Sequence, residues 1–562
     1  LFNVSRGVPQ GSVLSPLLFN AAMAGLPEVL PEALNISMYA DDICIWTSHK
    51  SLEVIEHRLQ QGLNAISDYL KERGMQISHA KSVVLPFTRK KVKNLKLFVD
   101  GQRIEIARKH RFLGVTLDRQ LSWSQHIADL ETQVNSTINV LRRIAGTKWG
   151  GTSASLLHVH CALIRQKIAY SAPVLHNISQ TSLHRLQLLQ ARSLRVCLGV
   201  PQATSSSLTL AEAREPNFIV IRNVETCRHL FRLVTQHPSH PLISKIENRA
   251  GTQIHHVYQQ YISQLPASTH WPPDLNYPPW LLELPTIQTS IEGLRSKHDV
   301  PTVAGLQLAS HHLFDRYQGY THVYTDGSVT KETATSALII PELHEEYACR
   351  LGHLSSSTTS ELVAILQAIS FIKLLTTPRK WVVITDSLAA LACVENATSE
   401  KIDTRIVYAI LKELSEATKS DHCVAFQWVP SHCGIKGNEM ADELAKAAHH
   451  YTQTRLIPIS QCDINGILRR TKRELCLTTW FSDNTKESIL YAVDPNLECQ
   501  LDPQLPRRID TLIHRLRLGT AYTKHFLLRI QRATSSTCSC GHDDEDVYHL
   551  LLDCPRHDTH RR

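Results

Sequence analysis

Four acidic side chains in the second half of the chain have the clearest chemical potential. They occur in separate short motifs (YTDGS, TSELVAI, VVITDS and GNEMADELA) and are Asp326, Glu361, Asp386 and Asp442. Carboxylates brought together repel one another unless cations neutralise them, and their hard oxygen atoms suit Mg²⁺ or Mn²⁺. Two such ions about 4 Å apart can clamp the attacking and leaving oxygens of a phosphodiester. These residues therefore indicate metal-dependent phosphoryl chemistry, if the fold unites them.

The elements around these residues must position them. Short apolar runs predict strands over 321–325, 334–340, 346–351, 381–385 and 424–429. Helical spacing predicts helices over 359–375, 388–396 and from about Asn438, which is expected to cap the last one. Strands followed by β–α alternation are typical of a mixed α/β sheet with helices on its faces. Asp326 and Asp386 would end strands at one rim, and Glu361 would open a helix there.

Taken in order, TDGS, SE, TDS and WVPSHCGIKGNEMAD resemble the signature of the RNase H family. The resemblance implies an RNase H-like domain that hydrolyses the RNA strand of an RNA–DNA hybrid with two metal ions. It implies that the four carboxylates are the ligands of these ions. It also implies that His432, in PSHCG, is the mobile histidine of the family, which assists water activation or product release.

Two adjacent aspartates near the start of the chain form a second candidate site. Asp41 and Asp42 lie in ISMYADDICIW, where flanking apolar residues predict a β-hairpin with the carboxylates at its turn. A helix is expected over 52–71. The YADD hairpin resembles the palm domain of reverse transcriptases.

Three further segments extend this resemblance. RGVPQGSVLSP resembles the segment beside template and incoming nucleotide, which implies nucleic-acid contacts for Gln10 and Gly11. In SHAKS, Lys81 matches a lysine near the triphosphate, and Phe112–Val115 resembles the primer-gripping turn. The resemblance is closest to non-LTR retrotransposons that carry an RNase H domain. Polymerases of this class use another metal-binding aspartate upstream of the PQG segment, which would precede residue 1. We therefore expect a fragment of a larger polyprotein with an incomplete, inactive polymerase site.

The C-terminal tail carries residues with metal-ligand spacing, namely Cys538, Cys540, His549 and Cys554. Four sulfur and nitrogen ligands suit tetrahedral Zn²⁺, and similar Cys/His tails close many retroelements of this type. Free surface thiols are the alternative, and rival ligands are His542, His557 and His560. Arginines that include Arg515 and Arg517 precede the cluster at helical spacing, so they predict either a phosphate-binding surface or a solvated face.

Composition limits the class of protein. The net charge of +8 over 562 residues permits a polyanionic partner without requiring one. Fourteen scattered cysteines favour a reducing, intracellular compartment, cytoplasmic or nuclear. No apolar run reaches the roughly 18 residues of a membrane span.

The sequence thus predicts five regions. They are a partial α+β reverse transcriptase palm (1–117), a helical thumb or connection region (118–255), a proline-rich linker (256–316), an RNase H domain (317–450), and a basic helical region with the Cys/His tail (457–562). Expected partners are an RNA–DNA hybrid, the RNA of the element and target DNA, with no membrane and no small-molecule substrate beyond nucleotides. The alternative is a catalytically decayed remnant that only binds nucleic acid.

Overall fold

The computed structural model describes residues 7–9, 11–88, 92, 95–266, 282, 284–294, 302–397, 404–482 and 486–561. The chain divides into two compact units. Leu1–Ser171 with Asn177–Cys197 form the first, and Ala172–His176 with Leu198–Arg562 form the second. Gln10, most of the basic run 89–96 and the proline-rich stretch 267–281 lie outside the described residues.

The first unit begins with a small α/β arrangement and continues with helices. Its strands are β1 (Asn35–Tyr39), β2 (Asp42–Trp46), β3 (Val83–Val84), β4 (Phe98–Val99), β5 (Gln102–Arg103), β6 (Glu105–Ile106), β7 (Lys109–Phe112) and β8 (Val115–Asp118). Its helices are α1 (Ser15–Met23), α2 (Leu52–Glu72), α3 (Ser124–Ile144), α4 (Ser153–His160), α5 (Gln166–Ser171) and α6 (Gln180–Leu198).

The predicted hairpin and the helix after it are present. β1 and β2 pair antiparallel with Tyr39 opposite Asp42, so the turn is only Ala40 and Asp41. One face of the hairpin packs against buried side chains of α1 and α2, because its apolar residues alternate. The polar turn is thereby left facing solvent.

The second unit is built around one large sheet. Its strands are β9 (Thr286–Gln288), β10 (Thr321–Val329), β11 (Ala334–Ile340), β12 (Glu345–Leu351), β13 (Lys380–Thr385), β14 (Cys423–Trp428) and β15 (Thr454–Arg455). Its helices are α7 (Ser206–Glu212), α8 (Phe218–Gln236), α9 (Pro241–Glu247), α10 (Gln253–Ile262), α11 (Thr302–Arg316), α12 (Ser357–Leu374), α13 (Leu388–Glu395), α14 (Thr404–Lys419), α15 (Lys436–Ala447), α16 (Gln461–Ser482), α17 (Ile489–Val493), α18 (Arg507–Arg517), α19 (Lys524–Arg529) and α20 (Asp558–Arg561).

The sheet is mixed, as predicted. Its strand order is β15-β12-β11-β10-β13-β14-β9, with β10, β11 and β12 antiparallel and the other pairs parallel. Alternation along β13 sends Trp381 and Val383 to one core and Val382 and Ile384 to the other. Both faces of the sheet are therefore covered, as a central parallel strand requires.

The proline-rich linker expected over 256–316 is wrong for its described parts. β9 lies within it and pairs parallel with β14, which adds a strand to the sheet edge. α11 also lies within it, and Ala309 and Leu313 pack into the core that contains Val382. Apolar residues at helical spacing account for α11, whereas β9 depends on its pairing with β14.

The segment after the sheet packs on the helices before it. Val224 and Phe231 of α8 and Val257 of α10 share a core with Ile464 and Leu468 of α16. Residues 118–255, expected as one helical region, are instead divided between the two units. Among the described residues, no helix is long and apolar enough to cross a membrane.

Candidate functional site

Three of the predicted carboxylates meet at one point of the large sheet. Ligand oxygens of Asp326, Glu361 and Asp386 lie within 4.8 Å of one another. β10 and β13 are neighbouring parallel strands with Thr325 opposite Thr385, so the next residue of each brings Asp326 and Asp386 together. Asp326 was expected to end its strand, but β10 runs on to Val329 because it pairs with β11.

Helix α12 supplies the third carboxylate through a very close contact with β10. Glu361 lies in its second turn, after the Ser356 hydroxyl accepts the Thr359 N–H as an N-cap. A Cβ atom on Gly327 would lie 2.6 Å from Glu361 N and 2.7 Å from the Ser360 carbonyl carbon. The glycine of the DGS motif is thus required for the helix to approach the strand.

Burial and mutual repulsion favour protonation of this cluster. Burial, followed by the charges of Asp386 and Asp442, raises the pKa of Asp326 to about 7. Burial and the neighbouring carboxylates raise the pKa of Glu361 well above its ordinary value, and burial raises that of Asp386. Glu361 Oε2 is buried without a hydrogen-bond partner. A set of hard oxygen donors with too few cationic partners fits bound divalent cations.

Asp442 and His432 lie beside this cluster. Asp442, on α15, adds to the charge that raises the pKa of Asp326, and its Oδ2 is 2.7 Å from Lys446 Nζ. His432 Nδ1 lies 3.9 Å from Asp442 Oδ2, and its side chain is 67% exposed. Its backbone is left-handed, with a φ of 51°. The histidine therefore lies at the solvent-exposed rim of the site.

Sequence reasoning missed two residues at the site. Glu439 has a carboxylate oxygen within 4.8 Å of ligand atoms of His432 and Asp442. Asn438 was expected to cap the last helix, but α15 already begins at Lys436, and Asn438 Nδ2 donates to Asp386 Oδ2 at 3.4 Å. The motif GNEMAD contains both residues, so helical spacing from Asp442 could have assigned them to the site.

The paired aspartates of the first unit are placed differently. Asp41 and Asp42 are exposed at the hairpin turn, and among the described residues no third Asp, Glu, His or Cys completes a metal-sized group with them. Gly11 and Lys81 are also exposed, and Leu113–Gly114 form the tight turn between β7 and β8.

The predicted Cys/His ligands of the tail converge. Ligand atoms of Cys538, Cys540, His549 and Cys554 lie within 4.8 Å of one another. The Cys540 sulfur is 3.2 Å from His549 Nε2, and the Cys538 and Cys554 sulfurs are 3.9 Å apart. Of the rival ligands, His542 stacks on the His549 ring at 4.2 Å instead of joining the group.

The phosphate-binding role expected for two arginines of α18 is not supported by their contacts. Arg517 is bound by Glu212 Oε2 and Asp494 Oδ2, each at 2.9 Å. Arg515 donates two hydrogen bonds to the Gly199 carbonyl and lies over the Tyr522 ring at 4.7 Å. Both guanidinium groups are used inside the second unit, because α18 packs against the segment that contains Gly199 and Glu212.

Two family models match separate parts of the chain. Residues 318–450 match the RNase H family model, and residues 2–117 match the model for reverse transcriptase (RNA-dependent DNA polymerase). The chain thus carries a reverse transcriptase region and an RNase H domain. The resemblance to retrotransposon proteins predicted from the sequence is confirmed by these matches and by the relatives below.

Three curated relatives illustrate the similarity. An RNA-directed DNA polymerase from mobile element jockey of Drosophila melanogaster is 25% identical over 204 residues, which cover 35% of this chain and 22% of that protein. A retrovirus-related Pol polyprotein from a type-1 retrotransposable element of Nasonia vitripennis is 27% identical over 216 residues, which cover 36% and 62%. A ribonuclease H of Jannaschia sp. (strain CCS1) is 33% identical over 104 residues, which cover 16% and 64%. The matches span less than two thirds of each relative.

Proposed function

We propose that this chain is a ribonuclease H that cuts the RNA strand of an RNA–DNA hybrid with the help of two divalent metal ions. The observation that carries the proposal is the buried group of Asp326, Glu361 and Asp386. Their carboxylate oxygens lie within 4.8 Å of one another, and burial and the neighbouring carboxylates raise the pKa of Asp326. The hybrid would come from the RNA of the element and the DNA made at its target. Mg²⁺ is the expected ion, and Mn²⁺ would replace it.

Each residue has a separate task in this proposal. Asp326 and Glu361 would hold the ions from the sheet and from α12, and Asp386 and Asp442 would complete the ligand set. The ions, when bound, would activate the attacking water and stabilise the leaving oxygen. Asn438 orients the Asp386 carboxylate. His432, exposed at the rim, would exchange protons with the entering water or the departing product.

The Asp386→Asn variant tests the carboxylate assignment. Asparagine keeps the size of the side chain but removes a charged ligand, so we expect metal-dependent cutting of a labelled hybrid to fall at least about 100-fold. The full chain is assayed in Mg²⁺ and in EDTA, and thermal unfolding in EDTA should show no loss of stability. A matched control is Asp421→Asn, since Asp421 is exposed and has a left-handed φ of 60°, which asparagine tolerates.

The rival proposal, a remnant that only binds nucleic acid, predicts another result. The parent chain would then bind hybrid with an affinity that falls steeply with salt, without any turnover in Mg²⁺ or Mn²⁺. Equal cutting by the parent and by Asp386→Asn would contradict the metal-ligand assignment.

We propose further that the tail binds one Zn²⁺ through Cys538, Cys540, His549 and Cys554. The convergence of four soft or borderline ligands supports this ion. The purified chain should contain about one zinc per molecule, and Cys540→Ser should lose it. The His557→Gln variant should retain the zinc, because His557 is exposed and lies outside the group.

For the first unit we propose a palm-like hairpin region followed by thumb-like helices. We propose also that the chain as given does not extend a primer. The support is the exposed Asp41–Asp42 pair, which has no third ligand among the described residues. Gly11 and Lys81, and Gln10 outside the described residues, would contact nucleic acid there. Primer extension on an RNA template by the chain would overturn this proposal.

A further inference from the structure

A buried carboxylate outside the RNase H match contacts the helix that bears Glu361. Asp463 lies in the first turn of α16, beyond the matched residues 318–450, and its side chain is fully buried. Nothing in the carboxylate site itself requires a residue at this position.

The oxygens of Asp463 are bound by donors from two helices. Oδ1 accepts the Ser356 N–H at 2.6 Å and the Thr359 hydroxyl at 3.1 Å. Oδ2 accepts the Ser460 N–H at 3.1 Å, and His353 Nε2 lies 3.5 Å away. Burial alone would raise the pKa of Asp463, but the His353 ring and the Ser356 and Ser460 donors lower it overall. The carboxylate is therefore charged.

These donors are the capping residues of two helices. Ser356 caps α12, and its hydroxyl accepts the Thr359 N–H. Ser460 precedes α16, and its hydroxyl accepts the Asp463 N–H at 3.0 Å. A negative charge at a helix N-terminus interacts favourably with the helix dipole, and one carboxylate serves both helices here. The first turn of α12 is thus tied to α16.

This contact between α12 and α16 lies near enough to Glu361 to affect the position of its side chain. Thr359 precedes Glu361 by two residues, and the backbone between them is the part of α12 that contacts Gly327 of β10. The other end of the tie is also fixed, because Ile464 and Leu468 of α16 pack with α8 and α10. Release of the tie would let the first turn of α12 shift relative to Asp326 and Asp386.

We propose that Asp463 is a positioning residue for the nuclease site. It holds the first turn of α12, and through it Glu361, so that metal binding at the site depends on a helix outside the RNase H match. This inference rests on the proposed function. It assigns a role in that reaction to the helical part of the second unit.

The test uses the full chain and the Asp463→Asn variant. Asparagine keeps the size but removes the charge and one acceptor oxygen. Loss of groups that orient metal ligands typically weakens metal binding about 10- to 100-fold. We expect a rise of that order in the Mg²⁺ concentration for half-maximal cutting of the hybrid. Calorimetric titration with Mn²⁺ in the absence of nucleic acid should show the same loss, and Glu361→Gln gives the reference for a missing ligand.

The matched control is Asp494→Asn. Asp494 is also a buried carboxylate of the second unit that accepts backbone N–H groups, those of Glu498 and Cys499, but it has no contact with α12 among the described residues. The Asp494→Asn variant should leave the Mg²⁺ dependence of cutting and the Mn²⁺ affinity unchanged. This result separates a positioning role of Asp463 from general destabilisation. A second variant, Thr359→Val, removes one hydroxyl and keeps the shape of the side chain. It should shift the Mg²⁺ dependence of cutting and the Mn²⁺ affinity in the same direction as Asp463→Asn, by a smaller factor. This variant replaces Asp463→Asn if the latter does not fold.

Unchanged metal dependence in folded Asp463→Asn or Thr359→Val would overturn the inference. A parent chain that binds Mn²⁺ but does not cut would contradict the proposed function instead. In that case the Mn²⁺ titration still decides whether Asp463 positions Glu361.

Discussion

At the scale of single residues, the carboxylates of the candidate site repel one another, and a bound cation would relieve this repulsion. Asp326 and Glu361 are buried beside other carboxylates, and their pKa values are raised for that reason. Such a site is expected to cost stability when it is charged and empty of metal. The residue types and their motifs allowed this cluster to be predicted, because four acids in a fixed order carry a specific signal.

The exposed histidine gives a prediction at this scale. His432→Asn should lower the rate of hybrid cutting by roughly 100-fold, because proton transfer by a positioned side chain contributes at least that much. Its stability should change little, since the side chain is mostly exposed and asparagine tolerates the left-handed backbone. Single-turnover cutting rates and thermal unfolding check both parts. A full rate in this variant would exclude a proton-transfer role.

Other single residues could not be assigned from the sequence. Arg515 and Arg517 have the spacing of a basic helix face, yet their partners Gly199 and Glu212 come from about 300 positions earlier in the chain. Nothing in local spacing indicates such a distant partner. Asp463 is similar, because its role depends on two helix ends that meet only in the folded unit.

At the scale of elements, the close approach of α12 to β10 sets the geometry of the site. Gly327→Ala would push a methyl group against backbone atoms of Ser360 and Glu361. We expect a stability loss of about 1–3 kcal/mol and a fall in cutting of about 100-fold, since small misplacements of catalytic groups have such effects. Urea unfolding and the hybrid assay measure the two effects.

A glycine elsewhere in the second unit provides the control. In α16, a Cβ on Gly466 would meet only the end of the Arg470 side chain at 4.0 Å. Gly466→Ala should therefore stabilise the chain by about 0.5–1 kcal/mol, as is usual in a helix interior, and should leave cutting intact. Equal behaviour of the two variants would contradict a special role for the Gly327 contact.

Most elements of the sheet domain were predictable, and the exceptions have physical reasons. The strands β10 to β14 and helices α12, α13 and α15 have clear apolar periodicity close to the observed bounds. α14 was overlooked although Val407, Ile410 and Leu414 have helical spacing and are buried. β9 is three residues long and gains its structure from pairing with β14, so local pattern could not identify it.

At the scale of the whole molecule, a buried ion network joins α18 to α7 within the second unit. His514 Nδ1 lies 2.6 Å from Glu212 Oε1, and its Nε2 lies 3.2 Å from Asp510 Oδ1. Burial alone would lower the pKa of His514, but hydrogen bonds to Asp510 and Glu212 raise it overall. Protonated His514 therefore stabilises the contact between α18 and α7.

The raised pKa of His514 predicts how the stability of the contact between α18 and α7 depends on pH. The contribution of His514 is fully present below its ordinary pKa of 6.5 and is lost as pH rises through the higher pKa of the folded state. The urea midpoint of the parent should exceed that of His514→Gln most at pH 5.5 and least at pH 8.5. The exposed His557→Gln serves as the control and should show no such trend. A constant difference across this range would count against the charged pair.

The same network has a consequence for folding during synthesis on the ribosome. Glu212 and Arg517 are separated by 305 residues, which a ribosome takes roughly 15–60 s to add at 5–20 residues per second. During that interval α18 has not been made, so Glu212 lacks the contacts with His514 and Arg517 that it has in the folded chain. A nascent chain that is released before α18 is made would therefore leave the Glu212 side chain, which is buried in the folded chain, without its cover, and incompletely packed chains of this kind are prone to aggregate.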